Sequence, residues 1–172
     1  YDFELDKDNS IVSVFFRDKK MREGYEAFLE LLGNDGPYWS NRHDLIGFSF
    51  VGINHYTKRC LFDIGFILNE SIESFTWLYN SFLKSMGGVQ PKTVMTDQCA
   101  AMSTAIKTCF PRCKHRLCIW HLFKNSTAYL GGLKEKPGFH KMFNTIMKKC
   151  HTEAELMYWW DRYVFLVVFS LL

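Results

Sequence analysis

Two β-rich runs, IGFSFVGIN (46–54) and RCLFDIGFIL (59–68), are joined by only HYTK and are apolar at nearly every position. Runs this close predict an antiparallel hairpin, because a parallel pair needs a long crossover between its strands. Strands with almost no polar face predict a sheet covered on both sides. An isolated hairpin is marginal in water, so the rest of the chain must supply further strands and the helices that cover them.

Upstream, IVSVFF (11–16) alternates and reads as a strand, while RDKKMREGYEAFLELL carries apolar residues at helical spacing. GNDGPYWSN, full of turn residues, comes next. Downstream, NESIESFTWLYNSFLKSMGG places Ile72, Phe75, Leu78, Tyr79, Phe82, Leu83 and Met86 on one helical face, with Asn69 as N-cap and Gly87 and Gly88 as the stop. After Pro91, KTVMT predicts a short buried strand, and a helix from Cys99 to Phe110 turns Met102, Ala105, Ile106 and Cys109 to one side. HRLCIW predicts another strand. HLFKNSTAYLGG, FHKMFNTIMKKC and HTEAELMYWWDRYVF predict helices, the last opened by a capping box of Thr152 and Glu155. A hairpin followed by strands alternating with helices predicts an α/β fold, a mixed sheet with flanking helices and then a helical segment. At 172 residues and 48% hydrophobic, a single domain suffices: an N-terminal strand and helix (1–30), a sheet core (31–130) and a helical part (131–172).

In that arrangement Asp97, in VMTDQC, stands where a buried strand runs out, the end at which open α/β sheets build their sites. The carboxylate can hold a divalent cation, or it can cap the next helix or close an Asx-turn with no chemistry at all. HRLCIWHLFKN places Cys118 and His121 three residues apart, a spacing that suits two ligands of a zinc ion, and Cys113 and His115 lie close enough in sequence to complete four. The alternative is a small buried thiol and a core or capping histidine.

Six scattered cysteines in a chain long enough to need no staples predict reduced thiols in a cytosolic or nuclear compartment. The formal charge of +3 permits contact with a polyanion without demanding it. The apolar VFLVVFSLL falls far short of the ~20 residues that span a bilayer, so no membrane partner is expected. A start without Met and an end inside an apolar run predict a piece of a longer protein.

YDFELDKDN, the block from Phe48 to Asn125 with VMTDQC at its centre, and FPRCKHRLCIWHLFKN together carry a resemblance that extends from residue 1 to about 163. The chain resembles the transposase domain of Mutator-like elements (MULE), and more closely the domesticated plant far-red-impaired-response family of transcription regulators. The resemblance implies an RNase H-like core in which three acids hold two Mg or Mn ions for cutting and joining DNA strands. Asp97 matches the second acid. Asp35 falls on the first, with Tyr38 and Asn41 also in line, and Cys118 and His121 match a Cys/His motif that follows the second acid.

Two departures matter. Gly33, Gly36 and Pro37 in LLGNDGPYW argue against a central strand at Asp35. The third acid belongs downstream of this chain, and Glu153 and Glu155 match no catalytic position. The expectation is therefore a transposase-derived domain of a nuclear transcription regulator, catalytically inactive and acting as a DNA-associated scaffold or dimerisation module. The alternative is a fragment of an active transposase. DNA phosphates would be met by Lys92, Lys114 and Arg116, expected with Lys107 and Arg112 to gather at the Asp97 end. The remaining DNA-binding parts would lie outside the chain.

Overall fold

The computed structural model describes residues 1–36, 44–129, 132, 135–136 and 138–169, with Asp35, 127–129 and 166–169 described by backbone alone. In chain order the elements are β1 (Asp2–Leu5), β2 (Ile11–Phe16), α1 (Lys19–Phe28), β3 (Leu31–Asp35), β4 (Ile46–Ile53), β5 (Arg59–Ile67), α2 (Ile72–Ser85), β6 (Thr93–Thr96), α3 (Ala100–Cys109), β7 (Lys114–Leu117), α4 (Ile119–Tyr129), α5 (Phe139–Lys149) and α6 (Glu153–Phe169). They fall into two compact units, Tyr1–Cys118 and Ile119–Leu172.

The first unit is a seven-stranded sheet in the order β1-β2-β5-β4-β3-β6-β7. The predicted hairpin is its middle: β4 and β5 pair antiparallel from Ile46↔Ile67 to Ile53↔Arg59. β3 then pairs antiparallel with β4 and parallel with β6, and β6 pairs parallel with β7. The parallel pairs follow from the crossovers, since α2 connects β5 to β6 and α3 connects β6 to β7. This is the mixed α/β sheet with flanking helices expected of an RNase H-like core.

Two expectations are corrected here. The predicted helix does not run on through Leu32; it ends at Phe28, and Leu31 and Leu32 open β3 instead. Nor do Gly33 and Asn34 interrupt a central strand. They sit within it, because Gly33 has ladder partners in both β4 and β6 and Asn34 has one in β4, while Pro37 falls outside the described residues. β1 was not foreseen, and its DFEL earns its place by pairing with β2.

α2 starts at Ser71 rather than Asn69. The Ser71 hydroxyl accepts from Ser74 N at 3.2 Å, and Asn69 supports it by accepting from Ser71 N at 3.1 Å. Its end is as expected, with Gly87 at φ 66° and Gly88 at φ 79°, and Gly88 N donating to Leu83 O at 2.8 Å. The core joins one face of the sheet to the inner faces of α1, α2 and α3: Leu32, Phe48, Phe50 and Val94 from strands, Tyr25, Phe75, Tyr79, Phe82, Met102 and Ile106 from helices. Phe82 stacks on Phe50 at 4.6 Å, and Tyr25 meets Phe62 edge-on at 5.4 Å. Such aromatic pairs add roughly 0.5–1.5 kcal/mol each to area burial. Cover on both sides was expected, yet the opposite face of β5 keeps Ile64 half-buried and Leu61 40% exposed.

The second unit contains α4, α5 and α6. Phe139, Met142 and Phe143 of α5 and Tyr163 of α6 form its buried cluster, joined by Phe123 of α4. The predicted capping box is in place: Glu155 N donates to Thr152 Oγ1 at 3.2 Å, and Thr152 N to Glu155 Oε2 at 3.3 Å. No helix among the described residues is long and apolar enough to cross a membrane.

Candidate functional site

β3 and β6 run side by side and parallel, in the register Leu31↔Thr93, Leu32↔Val94, Gly33↔Met95. Asp35 and Asp97 each lie two residues beyond the last of these pairs, at the same end of neighbouring strands. Asp35 is the last residue of β3 and lies across from Ser49 of β4. Tyr38 and Asn41 lie outside the described residues.

Asp97 has a structural task. Its Oδ1 accepts from Cys99 N at 2.9 Å, an Asx-turn that leads the chain into α3, whose own N-cap, Cys99, makes no side-chain cap bond. One carboxylate oxygen thus orders the strand-to-helix turn. A carboxylate carries about four lone-pair sites, so this bond leaves room for a metal ligand.

Around the strand ends lies a polar layer. Asn34 is buried; its Nδ2 donates to Ser49 O at 3.3 Å and its Oδ1 accepts from Tyr79 Oη at 3.1 Å. Burial, and then the nearby Cys99 and Asp97, hold the Tyr79 hydroxyl well above its ordinary pKa, so it serves as a donor. On β6, the Thr96 hydroxyl donates to Asp97 O at 2.9 Å and stands 2.8 Å from His115 Nε2. With its proton committed, Thr96 accepts there, which assigns the ring proton to Nε2. Burial, and then Lys107, lower the His115 pKa, which favours the neutral ring. Asn34 and Tyr79 thus tie β3 to α2, and Thr96 and His115 tie β6 to β7 beside Asp97. Sequence reasoning placed Tyr79 on the buried face of its helix, but nothing in the pattern said which group its hydroxyl would meet.

Cys118 follows β7 and closes the first unit, its N donating to Thr96 O at 2.6 Å. His121 belongs to α4 of the second unit, with its ring edge-on to Trp120 at 4.8 Å. Cys113 packs against the first core, and burial raises its thiol pKa. Among the described residues no three or more His, Cys, Asp or Glu side chains gather as a metal-holding group.

The basic residues do not gather at the Asp97 end as expected. Lys92 precedes β6 and Lys114 begins β7, while Asp97 follows β6, and the strands are parallel. Lys92 and Lys114 therefore mark the opposite end of the sheet, because α3 carries the chain back before β7 begins. Lys92 Nζ pairs with Glu30 at 2.5 Å, both side chains exposed. Arg116 sits partway along β7, across from Met95.

The family model of the MULE transposase domain matches residues 31–125, from the start of β3 into α4. The chain belongs to the MULE transposase domain family. The match contains Asp35, Asp97, Cys118 and His121. This MULE domain is similar to three curated proteins of Arabidopsis thaliana. It is 29% identical to Protein FAR-RED IMPAIRED RESPONSE 1 over 93% of this chain and 20% of that protein. With Protein FAR1-RELATED SEQUENCE 5 the identity is 34% over 87% of this chain and 19% of that protein. With Protein FAR1-RELATED SEQUENCE 4 it is 30% over 69% and 16%. The MULE domain thus spans about a fifth of the length of the relatives it matches.

Proposed function

We propose that this MULE domain serves in a nuclear transcription regulator of the far-red-impaired-response kind, as a DNA-associated scaffold or dimerisation module without strand-cutting activity. The observation that carries the reading is the bond from Cys99 N to Asp97 Oδ1, which gives the matched acid a structural task independent of any metal. The far-red-impaired-response relatives, similar over most of this chain, support the regulatory setting. DNA contact would run through Lys92, Lys114 and Arg116 to backbone phosphates, and through parts of the parent protein outside this chain.

A second reading is a metal-dependent DNA transposase, favoured by the register that sets Asp35 and Asp97 at the same end of adjacent strands. The two carboxylates are hard oxygen donors of the kind Mg or Mn requires, and an ion there would polarise a phosphoryl oxygen and activate the attacking water. Calorimetric titration of Mg and Mn into the purified protein, Asp97→Asn and Asp35→Asn separates the two. Asn keeps an acceptor for the turn, so the fold should survive both substitutions. The scaffold reading expects no saturable binding to the folded parent. Binding abolished by either substitution would overturn it in favour of the transposase.

A further inference from the structure

On the helix-covered face of the first unit, near the β1-β2 edge of the sheet, a cavity of about 270 Å³ is lined by Arg17, Arg22, Lys84, Ser81, Ser85 and Asp2, among others. β2 is separated from β6, the strand that leads to Asp97, by β5, β4 and β3, so this cavity is distinct from the acid pair. The side chains lining this recess include three cations and one acid.

The cations differ in how firmly they are engaged. Lys84 pairs with Asp2 at 3.1 Å and Arg22 with Glu26 at 2.7 Å, but both cations are exposed, and surface pairs of this kind exchange readily for a better anion. Arg17 is half-buried and held in place: one Nη1–H donates to Ser85 O at the end of α2. A guanidinium has five N–H donors, and a planar fork anchored on one side presents the remainder in fixed geometry.

Asp63, a buried acid that feels the Arg17 charge, does not neutralise it. Asp63 is fully buried, and burial pushes its carboxyl up to about 8, against the pull of Ile64 N, Arg17 and Ser85. The Ser85 hydroxyl reaches Asp63 Oδ2 only at 3.4 Å and donates more closely to Phe82 O at 2.8 Å, so it does little to offset that burial. Arg17 therefore keeps its charge beside a neutral acid.

We infer that this cavity is a binding site for a phosphate group, with Arg17 as the fixed bidentate donor and Arg22 and Lys84 closing on the anion from the rim. Arginine forks match phosphate oxygens in pairs, and a recess of this size holds one phosphoryl group with a small substituent. The group could belong to a free phosphorylated small molecule or to a nucleic-acid strand, and the two sources are told apart by the probe.

The test is calorimetric titration of the purified protein with inorganic phosphate, a nucleoside monophosphate and a short single-stranded oligonucleotide. Arg17 also anchors α2, so the informative variant is Arg22→Gln with Lys84→Gln, both at exposed positions; Lys92→Gln with Lys114→Gln is the control at the other end of the sheet. Saturable one-to-one binding of inorganic phosphate is expected. It should weaken by about tenfold or more in the first variant, the loss of two charge-assisted bonds, with an unchanged thermal midpoint, and stay as in the parent in the control. Stronger binding of the monophosphate than of the oligonucleotide identifies a small-molecule site, and the reverse a strand site. No saturation by phosphate in the folded parent would overturn the inference, and so would equal losses in both variants, which is the behaviour of diffuse charge.

Discussion

Phe62 and Asp63 are neighbours in β5 and both are fully buried, which the two-residue alternation of a strand forbids. The register explains it: Phe50 pairs with Asp63 and Val51 with Leu61, so Phe62 is the extra residue of a bulge. The bulge turns both side chains toward the helices, where Asp63 meets Ser85 and Phe62 meets Tyr25. A carboxyl buried in this way titrates differently when the chain unfolds. Its value is raised from 3.8 to about 8, so between those limits the unfolded chain has released a proton that the folded one keeps. Stability contributed by this group is then present in full below the unfolded value and falls as pH rises, by at most ~1.4 kcal/mol per pH unit, levelling above the folded value. Urea unfolding at acidic and mildly alkaline pH should show the parent losing stability across the window and Asp63→Asn losing much less; equal losses would refute the assignment. At this scale the sequence was partly legible. Asp97 could be placed at a strand end, and the Asx-turn was one of its two foreseeable roles. A bulge has no residue signature in RCLFDIGFIL, so the burial of Asp63 was out of reach.

Among the elements, β4 owes its fit to a missing side chain. A Cβ on Gly52 would stand 2.0 Å from Phe62 Cζ and 3.1 Å from Leu31 O, and Phe62 is pinned by the Tyr25 ring. On β5, a Cβ on Gly65 would meet Leu78 Cδ1 at 2.2 Å, the end of a side chain that can change rotamer. Gly52→Ala is therefore expected to cost about 1–3 kcal/mol in chemical denaturation and Gly65→Ala less; the opposite order would show that the bulge can relax. The hairpin, α2 and α3 were legible because their apolar residues repeat with one clear period. β3 was not, because Leu31 and Leu32 continue the helical spacing of α1, and Gly33 weakens a strand in isolation. What overrides those local signals is pairing on both sides, with β4 and β6, which no local window contains. The same limit applied to the site: Asp35 and Asp97 could be named separately, but their shared end depends on a register set by residues 62 positions apart in sequence.

For the molecule as a whole, the two apolar clusters share no residue: one draws on Phe15 to Cys113, the other on Phe123 to Tyr163. A fragment ending at Cys118 contains every member of the first. It is expected to unfold in one cooperative transition with a midpoint near that of the same unit in the full chain, followed by circular dichroism; a broad, non-cooperative melt would show that the sheet depends on the remainder. The parallel pairing of β3 with β6 also has a kinetic side. Joining Leu31 to Thr93 closes a loop that holds the entire hairpin and α2, whereas β4 and β5 meet across a short turn. Loop-closure entropy makes the distant pairing late and the hairpin early. During folding, then, the strand that ends in Asp35 has one neighbour before it has two. The shared end of the two acids is therefore expected to form after the hairpin has closed.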